Sequence, residues 1–120
     1  MILVAMKILS IVAGALLAVS VPLAAHHSIT AEYDSNKPIT LSGVVTNVDW
    51  MNPHTYLFMD VKDTGKIRNW ACELGTPREL ARKGITPESL KVGMSVRVTG
   101  TRARDGAFRI HTEAIVSENK

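Results

Sequence analysis

The sequence predicts a mainly β chain, a small barrel of five strands, or six, with one short helix between the third and fourth. Three observations carry that prediction. Apolar and polar residues alternate along several short runs, the period of a half-buried strand. Glycine, proline and Asn/Asp clusters punctuate those runs where turns are needed. Finally, Thr76-Pro77-Arg78-Glu79 and Gly84 supply the start and stop signals of a single helix.

Met1 to Ala25 is set aside first. It holds one charge, Lys7, then an apolar run from Ile8 to Val21, and it ends Pro22-Leu23-Ala24-Ala25. This is the pattern of a signal peptide (residues 1–25) that directs the mature protein to the periplasm, with signal peptidase cutting after Ala24 or Ala25. A start at Met6 would place the positive charge directly ahead of the apolar region. The competing reading keeps the run as a membrane anchor, since it is about long enough to span a bilayer. No cysteine follows, which argues against lipid attachment. The remaining ~95 residues make one domain: an N-terminal arm over 26–37, the β-domain over 38–117 and a loose tail over 118–120.

Taken in order, His26 to Asp34 has no clean period and reads as an extended arm, and Ser35-Asn36-Lys37-Pro38 reads as a turn. Ile39 to Trp50 is the first long strand. Gly43 interrupts it, which suggests a bulge or sharp bend. Asn52-Pro53 reverses the chain. His54 to Lys62 is the second strand, with Tyr56 and Phe58 on the face of His54 and Leu57, Met59 and Val61 on the other. Asp63-Thr64-Gly65-Lys66 closes a hairpin into a third strand, Ile67 to Leu74, which carries Trp70.

The helix comes next. Thr76 caps it, Pro77 takes its first position, Glu79 completes a capping box, and Leu80 and Ala81 can pack inward before Gly84 ends it. A single turn at Thr86 to Leu90 leads to the fourth strand, Met94 to Gly100. Arg104-Asp105-Gly106 is a tight turn, and Ala107 to Val116 is the fifth strand, with Phe108, Ile110, Thr112, Ala114 and Val116 on one side. Strand, strand, strand, helix, strand, strand is the order of an OB-type barrel. Such barrels host many kinds of binding, so the fold alone does not name a ligand.

The charge balance is mild: 14 Lys and Arg against 11 Asp and Glu give a net charge of +3. No nucleic-acid partner is expected, because Arg97, Arg102, Arg104 and Arg109 are better read as protecting a strand edge than as a polyanion track. Cys72 is the only cysteine, so no intramolecular disulfide can form. It is read as buried and inert, with a partner-forming or metal-binding thiol as the alternative.

Taken together, His26-His27-Ser28, Glu32-Tyr33-Asp34, Trp50, Asn52-Pro53-His54, Asn69-Trp70, Glu73-Leu74-Gly75, Gly84, Ser89-Leu90-Lys91 and Gly93 form a pattern. With it, the chain resembles a family of small periplasmic bacterial proteins of unknown function over nearly all of its mature length. The resemblance implies an exported, predominantly β, OB-like domain. It brings no activity, substrate or catalytic residue, and Cys72 lies outside its pattern.

Two binding chemistries compete. Cleavage after Ala24 would leave Ala25-His26-His27 at the new terminus. There an amine, two amides and an imidazole can surround Cu(II) or Ni(II) in a square plane. Cleavage after Ala25 would let the amine and imidazole of His26 chelate copper, with His27 or His54 adding a nitrogen. Met51 and Met59 are soft donors, although Met59 also suits the core. The metal set is therefore His26, His27 and His54, with copper foremost. The plainer reading has the paired histidines as a polar chain start and His54 as a pin for its turn. His111, sharing a face with Arg109 and Glu113, reads as solvated.

The second chemistry is an aromatic platform for a small molecule, sugar or peptide: Trp50, Tyr56 and Trp70, with Asn52, His54 and Asn69 as polar contacts. A third reading is an envelope protein–protein interaction domain that uses an open strand edge. The sequence lacks paired-cysteine spacing, a His-Glu-x-x-His helix, a nucleophile elbow and a phosphate loop, so a non-catalytic protein is expected.

Overall fold

Alternation along two paired strands builds the centre of the fold. A computed structural model of the protein describes residues 29–118. The signal peptide expected over 1–25, His26, His27 and the last two residues of the tail lie outside them. The chain divides into units at Met1–Glu32 and Tyr33–Lys120. Of the first, residues 29–32 are described and are helical. The second is mainly β: β1 (Tyr33–Asp49), β2 (Tyr56–Asp63), β3 (Lys66–Glu73), α1 (Pro77–Arg82), β4 (Ser95–Ala103) and β5 (Arg109–Ser117). No helix among the described residues is long and apolar enough to cross a membrane.

The hairpin β2–β3 pairs Asp63 with Lys66 across Thr64-Gly65, and both turn residues have positive φ (45° and 81°). That is the backbone a two-residue turn needs to match strand twist. Leu57 and Met59 on β2 and Cys72 on β3 are fully buried, and Trp70 is nearly so. Val45, Val96, Val98 and Ile110 complete this apolar interior. Each such side chain contributes about 1.5–3 kcal/mol by leaving water.

All five strands lie in one sheet ordered β1-β2-β3-β5-β4, and β4 pairs back onto β1 so that the sheet closes. Every pairing is antiparallel except β3–β5, which is parallel and short. Two glycines allow strands to approach closely. A Cβ on Gly43 would collide with the carbonyl of Asp60, and one on Gly100 with that of His111. The irregularity expected at Gly43 lies slightly further on, between Val45 and Asn47.

Three expectations are corrected. Residues 29–32 of the arm are helical rather than extended. The turn at Ser35–Pro38 is absorbed into β1, which starts at Tyr33; the pairing with β4 slips between Tyr33 and Pro38, and the Asn36 amide bonds the Asp34 carboxylate at 2.9 Å. In β5 the predicted inward stripe breaks after Ile110. Thr99 pairs with Ala114 but Gly100 with Thr112, so Glu113 is an extra residue. A one-residue slip reverses every side chain beyond it. Ile115 therefore packs on the core and Val116 is exposed.

The helix follows its signals closely. Thr76 Oγ1 accepts from the Glu79 amide at 3.1 Å, Pro77 stands at the start, and Gly84 ends it at φ 80°. Leu80 is buried, whereas Ala81 faces solvent.

Candidate functional site

The β2–β3 ladder continues one residue past β2. The Thr55 amide donates to the Gly75 carbonyl (3.0 Å), and the Leu74 amide donates to the Thr55 carbonyl (2.8 Å). This clamp holds the loop that follows the cis Asn52–Pro53 bond against the end of β3. His54 consequently stands beside Glu73, with Nε2 3.4 Å from Oε1. The imidazole is half exposed, while Glu73 is only 7% exposed.

A buried carboxylate must be compensated. Here Tyr33, at the start of β1, donates its hydroxyl to Oε2 of Glu73. Tyr33 is itself buried, and its pKa is pushed well above the phenol range, first by burial, then by the Glu73 hydrogen bond and charge. It therefore remains a donor. The parallel pairing of β3 with β5 sets Arg109 opposite Ala71 and His111 opposite Glu73. The His111 ring lies 5.4 Å from that of Tyr33, and the Arg109 guanidinium 5.5 Å from the same ring. His111 Nδ1 and Arg109 Nε are buried without a partner. His111 is thus drawn against Tyr33, not solvated as its strand position suggested.

Chemically, this is an imidazole oriented by a carboxylate that is itself fixed by a phenol. With Nε2 turned to Glu73, Nδ1 of His54 is the ring nitrogen left for a ligand. Carboxylate–imidazole pairing of this kind sets the tautomer and orientation of metal-binding histidines. Among the described residues, no three His, Cys, Asp or Glu side chains gather closely enough to hold a metal ion by themselves.

The profile of a family of unknown function, DUF6152, matches residues 13–111. The chain belongs to the DUF6152 family. This agrees with the resemblance drawn from the sequence to a family without known function. The DUF6152 match runs through His111 and so takes in Tyr33, His54, Glu73 and Arg109. No curated protein matches the chain significantly.

Of the residues singled out from the sequence, His54 is at this cluster. Tyr56 pairs with Glu73 and is half-buried, stacked at 6.4 Å on Phe58. Trp50 is half-buried against the core, and Asn52 is exposed in the loop. The aromatic platform does not assemble as expected. Trp70 is 5% exposed and faces the interior, because it shares the strand face of Cys72. Asn69 pairs with Asp60, four residues along the ladder from the Tyr56–Glu73 pair, and its amide is spent on Thr46 and Asp60, each at 3.0 Å.

Sequence reasoning gave no site role to Tyr33 or Glu73, and it read Arg109 as an edge charge and His111 as solvated. Tyr33 and Glu73 lay inside the family pattern, but no local spacing joins residues forty apart. Cys72 is buried, and desolvation pushes its thiol up to about 12, so it is an inert core residue.

Proposed function

We propose that this DUF6152 chain is an exported, non-catalytic periplasmic binding protein. In this reading its domain is an OB-like barrel that binds a transition-metal ion, copper foremost, through His54 and the mature N-terminal His26 and His27. The OB-like reading is supported by the closed strand order with one parallel pair and a helix between the third and fourth strands. Export is supported by Lys7, the apolar run behind it and Ala24-Ala25.

The observation that carries the metal reading is the Tyr33–Glu73–His54 chain. A half-exposed imidazole is held by a buried carboxylate, leaving Nδ1 available. One imidazole is too few for tight binding, and a mature terminus beginning with or just before His26-His27 would supply the remaining nitrogens in the arrangement Cu(II) prefers.

The test starts with the mass of mature protein purified from the periplasm, which fixes its first residue. Cu(II) titration of that sample, followed by visible absorption, should show one tight equivalent with a d–d band typical of nitrogen ligation. His27→Ala should abolish tight binding, and His54→Ala should weaken it. Binding indifferent to both substitutions would remove the proposal. The organic-ligand alternative is weakened by the burial of Trp70, which takes away the centre of the platform.

A further inference from the structure

At the end of the sheet away from α1, the interior is closed by aromatic rings and cations. Trp70 and Phe108 meet edge to face, 5.3 Å between centroids at 71°. Trp70 is buried, but Phe108 is 41% exposed and forms the outer lip. Arg68, on the same strand face as Trp70, places its guanidinium 5.1 Å from the Phe108 centroid. Arg102, at the far end of β4, lies 5.1 Å from the Trp70 ring and 5.8 Å from that of Phe108. Two cations therefore share one exposed ring.

Neither cation is neutralised by the described residues around it. Among the described residues the Arg–carboxylate pair is Arg97–Glu118. The nearby Asp105 carboxylate accepts from the Ala107 amide at 3.0 Å, serving its own turn. Arg102 Nη2 donates to the Gly106 carbonyl at 2.9 Å, which fixes the guanidinium, yet its Nε is buried with no acceptor. A buried N–H without an acceptor is costly, and more so on a charged group. Ring faces offset part of the charge but accept no conventional hydrogen bond.

We infer that Arg68, Arg102 and Phe108 form a binding site for a small organic anion, with a carboxylate or phosphate head on the guanidiniums and an apolar body on Phe108. An oxyanion supplies the counter-charge that neither guanidinium has among the described residues and separates two like charges. Guanidinium is suited to such heads because its fork of donors matches their oxygens. The exposed ring adds apolar contact that an inorganic ion cannot use. This site is separate from the His54 cluster: Arg68 lies on the opposite face of β3 from Glu73.

Trp70 reports directly, because Arg102 lies over its ring. Phenyl phosphate titrated into the mature protein, with tryptophan emission as readout and ionic strength held constant, should give a saturable change. Its affinity should exceed that of inorganic phosphate by about tenfold, the worth of one modest apolar contact. Arg102→Gln and the more exposed Arg68→Gln should each weaken it by about tenfold or more, the loss of one charge-assisted contact. Arg97→Gln, which removes a cation elsewhere, should leave it unchanged. Should Arg102→Gln not fold, Arg68→Gln alone decides. The absence of a saturable change with phenyl phosphate, or equal affinity in Arg68→Gln and the parent, would overturn the site.

Discussion

The two faces of β3 share one backbone and are held by different physics. On the inner face Trp70 and Cys72 vanish into an apolar interior, and many weak contacts make that burial. On the outer face Asn69 is exposed, yet Glu73, four residues along, is as buried as a core residue. That burial rests on a few named polar partners, Tyr33 and His54, with His111 opposite. An apolar face tolerates the loss of one contact in proportion to the volume lost. A buried carboxylate depends on each hydrogen bond it receives.

The largest expected effect therefore belongs to the interior. Leu57→Ala or Ile110→Ala should lower unfolding free energy by about 2–5 kcal/mol in urea titrations, since both side chains are fully enclosed. A smaller loss would mean the interior is looser than the inner face implies.

On the outer face, Tyr33→Phe should cost about 1–3 kcal/mol by leaving Glu73 short of a donor. The double variant with Glu73→Gln should cost less than the sum of the singles. Strict additivity would show that the two residues act independently and break the contrast between the faces.

Alkaline pH affects both faces through different residues. Burial raises the Cys72 thiol from 9.0 to about 12 and raises the Tyr33 hydroxyl from 10.0. Each group holds its proton more tightly folded than unfolded. Stability is therefore full below the unfolded values and declines as pH rises through 9.0 and 10.0 towards the folded ones, by at most about 1.4 kcal/mol per pH unit per group. Thermal unfolding across this range should show the decline, and Cys72→Ala should flatten its lower part. A flat profile in the parent protein would contradict the burial of both groups.

The smallest stability effect is expected from His54→Gln, under ~1 kcal/mol, because a half-exposed imidazole–carboxylate contact is screened by water. Its consequence should appear in metal binding. A large destabilisation would instead make His54 a structural pin for its loop.

The fold was largely legible because its signals are local. The alternation of Leu57, Met59 and Val61, the Thr64-Gly65 turn and the Thr76-to-Gly84 helix each depend on neighbours in sequence. The failures were non-local. The slip at Glu113 that turns Val116 outward is set by β4, through Thr99 and Gly100, and leaves no mark within β5 itself. The site was legible only at His54. Glu73 entered the sequence reading only as part of the family pattern, and its partner Tyr33 lies forty residues away. Only closure of the sheet brings β1, β3 and β5 together at that point.

The most direct measurement is substoichiometric Cu(II) added to isotopically labelled mature protein, with amide signals followed by NMR. Paramagnetic broadening falls off steeply with distance and so locates the ion. The account predicts that signals of His54, Tyr56 and Glu73 disappear together with those of the first residues of the mature chain, while Arg68 and Phe108 stay sharp. Broadening confined to the terminal residues, with His54 and Glu73 unaffected, would contradict a metal site built on the outer face of the sheet.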